Sequence, residues 1–200
     1  MKKLLAGAFV AAALVTSCKK TDNTTTVTGT TATDNAAATP DNNMNASDAN
    51  NQVANNLSAA DNEFAHKAAM GGMMEVMMGN LARTNATNQQ VKDFGQRMVT
   101  DHTKANDDLK AWAAQNNVNL PNALNTDMQQ KYDELKSKTG ADFDKAYTSM
   151  MVDDHKKDIS DYRKAADGSD NTDLRNYASR TLPVLEEHLQ MVERIHSTVK

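Results

Sequence analysis

The chain has 200 residues, a formal net charge of −4 and only 4% aromatic residues. An acidic chain whose few basic residues are scattered does not suit nucleic acid, so no nucleic-acid partner is expected. A single cysteine, Cys18, excludes an internal disulfide and leaves no thiolate for metal or catalysis in the folded part.

The chain opens Met1-Lys2-Lys3 and continues with an apolar run from Leu4 to Val15. That run is shorter than the roughly 20 residues needed to span a bilayer, and its length suits a secretory signal. It ends Leu14-Val15-Thr16-Ser17-Cys18, which resembles a bacterial lipobox. Residues 1–17 therefore read as a lipoprotein signal peptide and Cys18 as the lipidation site. The lipid would make the membrane a partner and place the chain in the bacterial cell envelope, at the outer membrane or the periplasmic face. From Lys19 to about Asn56 the sequence is rich in Thr, Asn, Asp and Ala, with Val27, Met44 and Val53 isolated. Such a composition cannot bury enough surface to offset the entropy of ordering. Residues 18–56 read as a tether, with a mean reach of roughly 35 Å.

From Leu57 to Lys200 every long stretch carries helical periodicity, and none alternates like a strand. The first helix is expected over about Ser58 to Thr84, with Ser58 as N-cap and a stripe of Phe64, Ala68, Gly71, Glu75, Met78 and Ala82. The second spans about Asn88 to Asn116, capped by Thr87 with Gln90 completing a capping box. Its stripe includes Phe94, Met98, His102, Leu109 and Trp112. After the break at Pro121, a short helix covers about Asp127 to Lys138. A long helix follows from about Ala141 to Asp167, aligning Phe143, Tyr147, Met151, His155, Ile159 and Tyr162. The last runs from about Thr172 to Thr198, aligning Leu174, Tyr177, Leu185, His188 and Val192. Pro183 lies inside it and predicts a kink. The expected fold is all-α: a four-helix bundle with a short extra helix between the second and third long helices. That connection is long enough to cross over the bundle, which would give ferritin-like topology. An up-down bundle capped by the short helix is the alternative. Dimerisation into a homo-oligomer is compatible with either.

Glu75, His102, His155 and His188 lie on the apolar stripes of four different helices, each near the middle. In one bundle these four share a cross-section of the core. Buried ionisable groups need partners. Met98-Val99-Thr100-Asp101-His102 is repeated as Met151-Val152-Asp153-Asp154-His155, and Glu187-His188 gives a similar pair. Asp101 and Asp154 could orient the histidines or join them as ligands. Imidazole and carboxylate donors suit zinc, iron or manganese better than calcium. A metal-free hydrogen-bond network that fixes helix register, in an interaction or stress-protection module, satisfies the same pattern. A di-metal oxidoreductase is the weakest reading. The paired Glu-x-x-His of di-iron bundles is missing from the layer, and the one such run, Glu63 to His66, points off the stripe. No nucleophile constellation or phosphate loop is present. Met70, Met73, Met74, Met77 and Met78 crowd the first helix; thioethers bind Cu(I), but methionines more often fill cores. Gly71, Gly72 and Gly79 either admit a neighbouring helix or leave room beside Glu75.

Several runs resemble one family. They are Leu57-Ser58-Ala59-Ala60-Asp61-x-Glu63-Phe64, Gly72-x-x-Glu75-Val76-x-x-Gly79, Arg97-Met98-Val99-x-Asp101-His102, Met151-Val152-x-Asp154-His155 and Thr181-Leu182-Pro183-x-Leu185-x-x-His188-Leu189. Together they look like the bacterial "domain of unknown function 4142" proteins. The resemblance implies a secreted or outer-membrane protein with a ferritin-like bundle. It implies no established activity.

Overall fold

The computed structural model describes residues 57–199. The expected signal peptide, Cys18 and the tether lie outside the described residues. Five helices appear: α1 (Ala59–Asn85), α2 (Gln89–Gln115), α3 (Thr126–Lys136), α4 (Gly140–Gly168) and α5 (Thr172–Thr198). No strand occurs among the described residues, and no helix there is long and apolar enough to cross a membrane.

Local chemistry sets the ends. The Ser58 hydroxyl accepts from the Asp61 N–H at 3.0 Å, as its position predicts. At α2 the cap falls one residue later than the sequence suggests. Asn88, not Thr87, caps the helix, its Oδ1 accepting from the Gln90 N–H at 2.8 Å. The reason is tertiary. The Thr87 and Asn88 backbone N–H groups donate to the carboxylate of Asp144 on α4, at 3.1 and 2.9 Å. This ties the α1–α2 turn to the neighbouring helix and leaves Asn88 to satisfy the first turn. Asn125 and Asn171 cap α3 and α5 in the same manner. Gly140 opens α4 with φ of 64°, a left-handed conformation that favours glycine. α5 runs unbroken through Pro183, whose ring is exposed. Proline's missing N–H costs one intrahelical bond there.

Two apolar clusters divide the interior. One joins the start of α1 (Phe64, Ala68), the end of α2 (Leu109, Trp112), the end of α4 (Ile159, Tyr162) and the start of α5 (Leu174, Tyr177). The other joins the end of α1 (Met78, Ala82), the start of α2 (Phe94, Met98), the start of α4 (Phe143, Tyr147, Met151) and the end of α5 (Val192, Ile195). Each large side chain fully buried in these clusters contributes about 1.5–3 kcal/mol.

The grouping fixes the directions. α1 and α5 run one way, α2 and α4 the other. α1–α2 and α4–α5 form two antiparallel hairpins that also meet along α1–α4 and α2–α5. Because α2 and α4 are parallel, the chain between them must return along the bundle, and α3 does so against α1 and α4. This long crossover is the ferritin-like connection. Leu135 anchors it in the second cluster, and the Asn85 side-chain amide donates to the Lys138 carbonyl at 3.0 Å.

The glycines split between the two roles expected of them. A Cβ on Gly79 would lie 2.7 Å from the carbonyl oxygen of Gly95, and one on Gly95 would lie 2.6 Å from the Ala82 Cβ. α1 and α2 therefore cross backbone to backbone at this point. Gly71 instead borders a small void of about 10 Å³ that Gly72 and Glu75 also line; Gly72 serves both roles, since a Cβ there would collide with the Asn106 side chain of α2. Met74 and Met78 are buried in the core, while Met70, Met73 and Met77 are half-buried.

Candidate metal centre

Between the two apolar clusters lies one polar layer. Glu75 on α1, His102 on α2, and His155 and His188 on the α4–α5 hairpin are all at most 5% exposed. One nitrogen from each imidazole falls in a group whose members all lie within 4.8 Å of one another. The ring centroids stand 5.4 to 5.8 Å apart.

Each ring has one nitrogen engaged by an oxygen. His102 Nδ1 lies 2.9 Å from Glu75 Oε2. His155 Nδ1 lies 2.9 Å from the Met151 carbonyl oxygen, one turn back on its own helix. His188 Nε2 lies 2.8 Å from Asp101 Oδ2. Asp101 is in turn held by Arg97 Nε at 2.8 Å, and Arg97 also reaches Glu187 at 3.1 Å. Of the remaining nitrogens, His102 Nε2 is buried with no hydrogen-bond partner. His155 Nε2 and His188 Nδ1 face each other at 3.4 Å.

This pattern constrains the protons. A carbonyl can only accept, so His155 Nδ1 carries its hydrogen and Nε2 is a bare lone pair. Burial pushes the Asp101 carboxyl up, but hydrogen bonds from Arg97 and His188 outweigh it and hold it below the usual range. An ionised Asp101 requires a hydrogen on His188 Nε2, and neutral His188 then presents a lone pair at Nδ1. Two lone pairs would thus meet at 3.4 Å. Burial pushes His102 and His155 down to about 4 and lowers His188, so the rings resist taking an extra proton.

Among the described residues Asp154 makes no hydrogen bond to this group, though its charge helps raise the Glu75 carboxyl. It is half-buried on α4, where burial raises its carboxyl and the charges of Lys131 on α3 and Lys157 oppose the rise. Its sequence position beside His155 puts it around the helix from the layer. Asp158, which the periodicity did not single out, comes closer to the layer. It lines the void beside Gly71, Gly72 and Glu75. Burial raises Asp158, and the charge of Glu75 raises it further. Burial likewise raises Glu75, against the pull of His155. The His155-x-x-Asp158 spacing places both on one helix face, and that was the available signal. Glu75 Oε1 and the Tyr147 hydroxyl are also buried without hydrogen-bond partners.

The raised carboxyl of Asp158 gives a pH test on metal-free protein. A raised folded-state pKa contributes stability that is present below the unfolded value and lost as pH rises through the folded one. Asp158→Asn is therefore expected to be near neutral at pH 4 and stabilising at pH 8, by on the order of 2 kcal/mol. Urea unfolding at the two pH values measures this. An equal effect at both would contradict the raised titration.

The model of a family described as "Domain of unknown function (DUF4142)" matches residues 46–195. The chain belongs to the DUF4142 family. No curated protein matches it. Among solved structures, a DUF305 fragment from Deinococcus radiodurans superposes with a TM-score of 0.63 at 6% identity, covering 71% of this chain and 98% of that one. A DUF305 protein from Streptomyces coelicolor, described as secreted, gives 0.61 at 12% identity, covering 70% and 92%. At such identities the likeness concerns the fold. The expected family and the ferritin-like helical architecture thus both hold. This DUF4142 domain carries a buried His/Glu/Asp cluster with donors that could hold a metal.

Proposed function

We propose that this DUF4142 domain binds one divalent transition metal through His102 Nε2, His155 Nε2 and His188 Nδ1. One observation carries the reading: two imidazole nitrogens, each left without a proton by the hydrogen bond on the other side of its ring, face each other at 3.4 Å beside a third, unpartnered ring nitrogen. A cation resolves that conflict. Two nitrogens on a tetrahedral zinc, each at about 2.05 Å, sit about 3.3 Å apart. The opposite nitrogens are held by two carboxylates and a backbone carbonyl, the usual partners of metal-bound histidines. Glu75 and Asp101 then orient rings rather than ligate, and the fourth position stays open. Three imidazoles favour zinc, with iron next and manganese, which prefers oxygen, last.

The competing reading keeps the layer metal-free, with His188 doubly protonated and donating to both Asp101 and His155. The depressed basicity of the buried ring works against it. Elemental analysis of protein purified without chelator separates the two. Metal binding predicts about one equivalent of zinc or iron, lost in His102→Ala. It also predicts that zinc at a hundred times Kd stabilises the apo-protein by about 2.7 kcal/mol. Metal-free protein that gains no thermal stability from zinc, iron or manganese would support the network instead.

The domain is further proposed to sit in the cell envelope on a lipid at Cys18. The basic start, the short apolar run and the Ser17-Cys18 junction support this, together with the secreted description of the Streptomyces neighbour. Metabolic labelling with palmitate should mark the wild type and not Cys18→Ser; equal labelling would remove the anchor.

A further inference from the structure

Between α1 and α4 a notch runs inward from the surface, past Lys67 and Asp161, to the void of about 10 Å³ that Gly71, Asp158 and Glu75 border. That volume has room for one water-sized particle. Glu75 Oε2 is turned to His102 on α2, which leaves Oε1 on the α4 side, 3.6 Å from His155 Nδ1. That ring nitrogen is already committed to the Met151 carbonyl, so Oε1 is buried with no hydrogen-bond partner. Asp158 follows His155 by three residues on the same face of α4. Its carboxylate leans across to α1, with Oδ2 3.8 Å from where a Cβ on Gly71 would stand. Asp158 makes no hydrogen bond or ion pair among the described residues.

The nearby cations are engaged elsewhere. Lys67 pairs with Glu63, and both Lys157 and Lys164 pair with Asp161. Glu75 and Asp158 thus bring acceptor oxygens to one void and no donor to fill it. Carboxylates kept from water need hydrogen-bond donors or a cation.

Gly71 supports the same reading. It lies inside α1, where glycine weakens a helix relative to alanine. At Gly79 and Gly95 the backbones touch, and at Gly72 the Asn106 side chain fills the space, so packing requires those glycines. At Gly71 an added Cβ would meet only the Asp158 carboxylate, at an ordinary van der Waals distance. Helix packing does not require a glycine there. What a methyl group would remove is the space in front of Asp158.

We infer that this notch binds a hard divalent cation, manganese or magnesium, between Glu75 Oε1 and Asp158, with water completing the shell toward the mouth. Oxygen donors alone suit these ions better than zinc, and one or two carboxylates with retained waters is the usual way of holding magnesium. Glu75 then serves two centres: Oε2 orients the His102 ring and Oε1 ligates the second ion. The site uses none of the three histidine nitrogens, so it stands or falls separately from the metal proposed above.

Manganese(II) titrated into the full chain, preloaded with one equivalent of zinc, tests this. Free manganese is read by its electron paramagnetic resonance signal, which is lost on binding. The expected result is one manganese per chain, displaced by excess magnesium. Asp158→Asn and Gly71→Ala should each weaken it at least tenfold while zinc content is unchanged. Without manganese, Gly71→Ala should unfold at the same temperature as wild type or higher, so its loss of the ion is not a loss of fold. Absence of saturable manganese in the wild type would show that the notch holds water only and overturn the cation. Undiminished affinity in either variant would do the same.

Discussion

His155→Ala should lower zinc or cobalt affinity by about a thousandfold or more, beyond the 10–100-fold usual when only an orienting partner is lost. His155 is fully buried and offers Nε2 to the shared position, so no water or neighbouring donor readily replaces it. The same change leaves a cavity beside Phe94, whose ring centroid lies 6.5 Å from the imidazole. The apo-protein should therefore also lose about 2–4 kcal/mol, in the range of large-to-small core changes. Ile159→Ala separates the two effects. Ile159 lies one turn further along α4, in the apolar cluster and away from the ring nitrogens. Its truncation should cost a similar amount of stability and leave metal affinity within a few-fold of wild type. Calorimetry with each variant measures affinity, and urea unfolding measures stability. If both variants lose metal equally, the histidine acts through folding alone.

The second large effect concerns the α1–α2 crossing. Gly95→Val places its Cβ where Ala82 and the Gly79 carbonyl already stand, at 2.6 and 2.8 Å. The obstacles include backbone, so the helices must separate. Overpacking of this kind costs about 1–3 kcal/mol, and the branched γ-carbons put valine at the upper end. Separation would also move Glu75 on α1 relative to His102 on α2. Metal affinity should therefore fall together with stability. Gly168→Ala is the control, because nothing lies within 4 Å of an added Cβ. It should be neutral or stabilising by up to about 1 kcal/mol. Thermal unfolding of the two variants checks the contrast; a mild Gly95→Val would show that the crossing is looser than its spacing indicates.

The period of apolar residues made the helices legible because each long helix buries one face over its whole length. It also placed Glu75, His102, His155 and His188 in one layer, since mid-helix positions meet at mid-bundle whichever way the helices run. Direction was not legible. It became clear only when Phe64 proved to pack with Tyr162 and Met78 with Met98, which makes α2 and α4 parallel. The cap of α2 falls at Asn88 because Asp144, 57 and 56 residues away, holds the Thr87 and Asn88 amides. Local sequence carries no trace of that contact. The same limit applies to the acids. Asp101 and Asp154 occupy equivalent places in the internal repeat, yet only Asp101 meets a histidine, because α5 presents His188 to it while α3 presents Lys131 to Asp154. A repeat in sequence specifies the helix face and not what the adjacent helix brings to it.

Zinc K-edge absorption of the metal-loaded full chain tests the central claim most directly. The account predicts three imidazole nitrogens at about 2.0 Å and one oxygen donor completing a four-coordinate shell. A shell made of oxygens alone, or one with fewer than two imidazoles, would contradict the assignment of His102, His155 and His188 as a single metal centre.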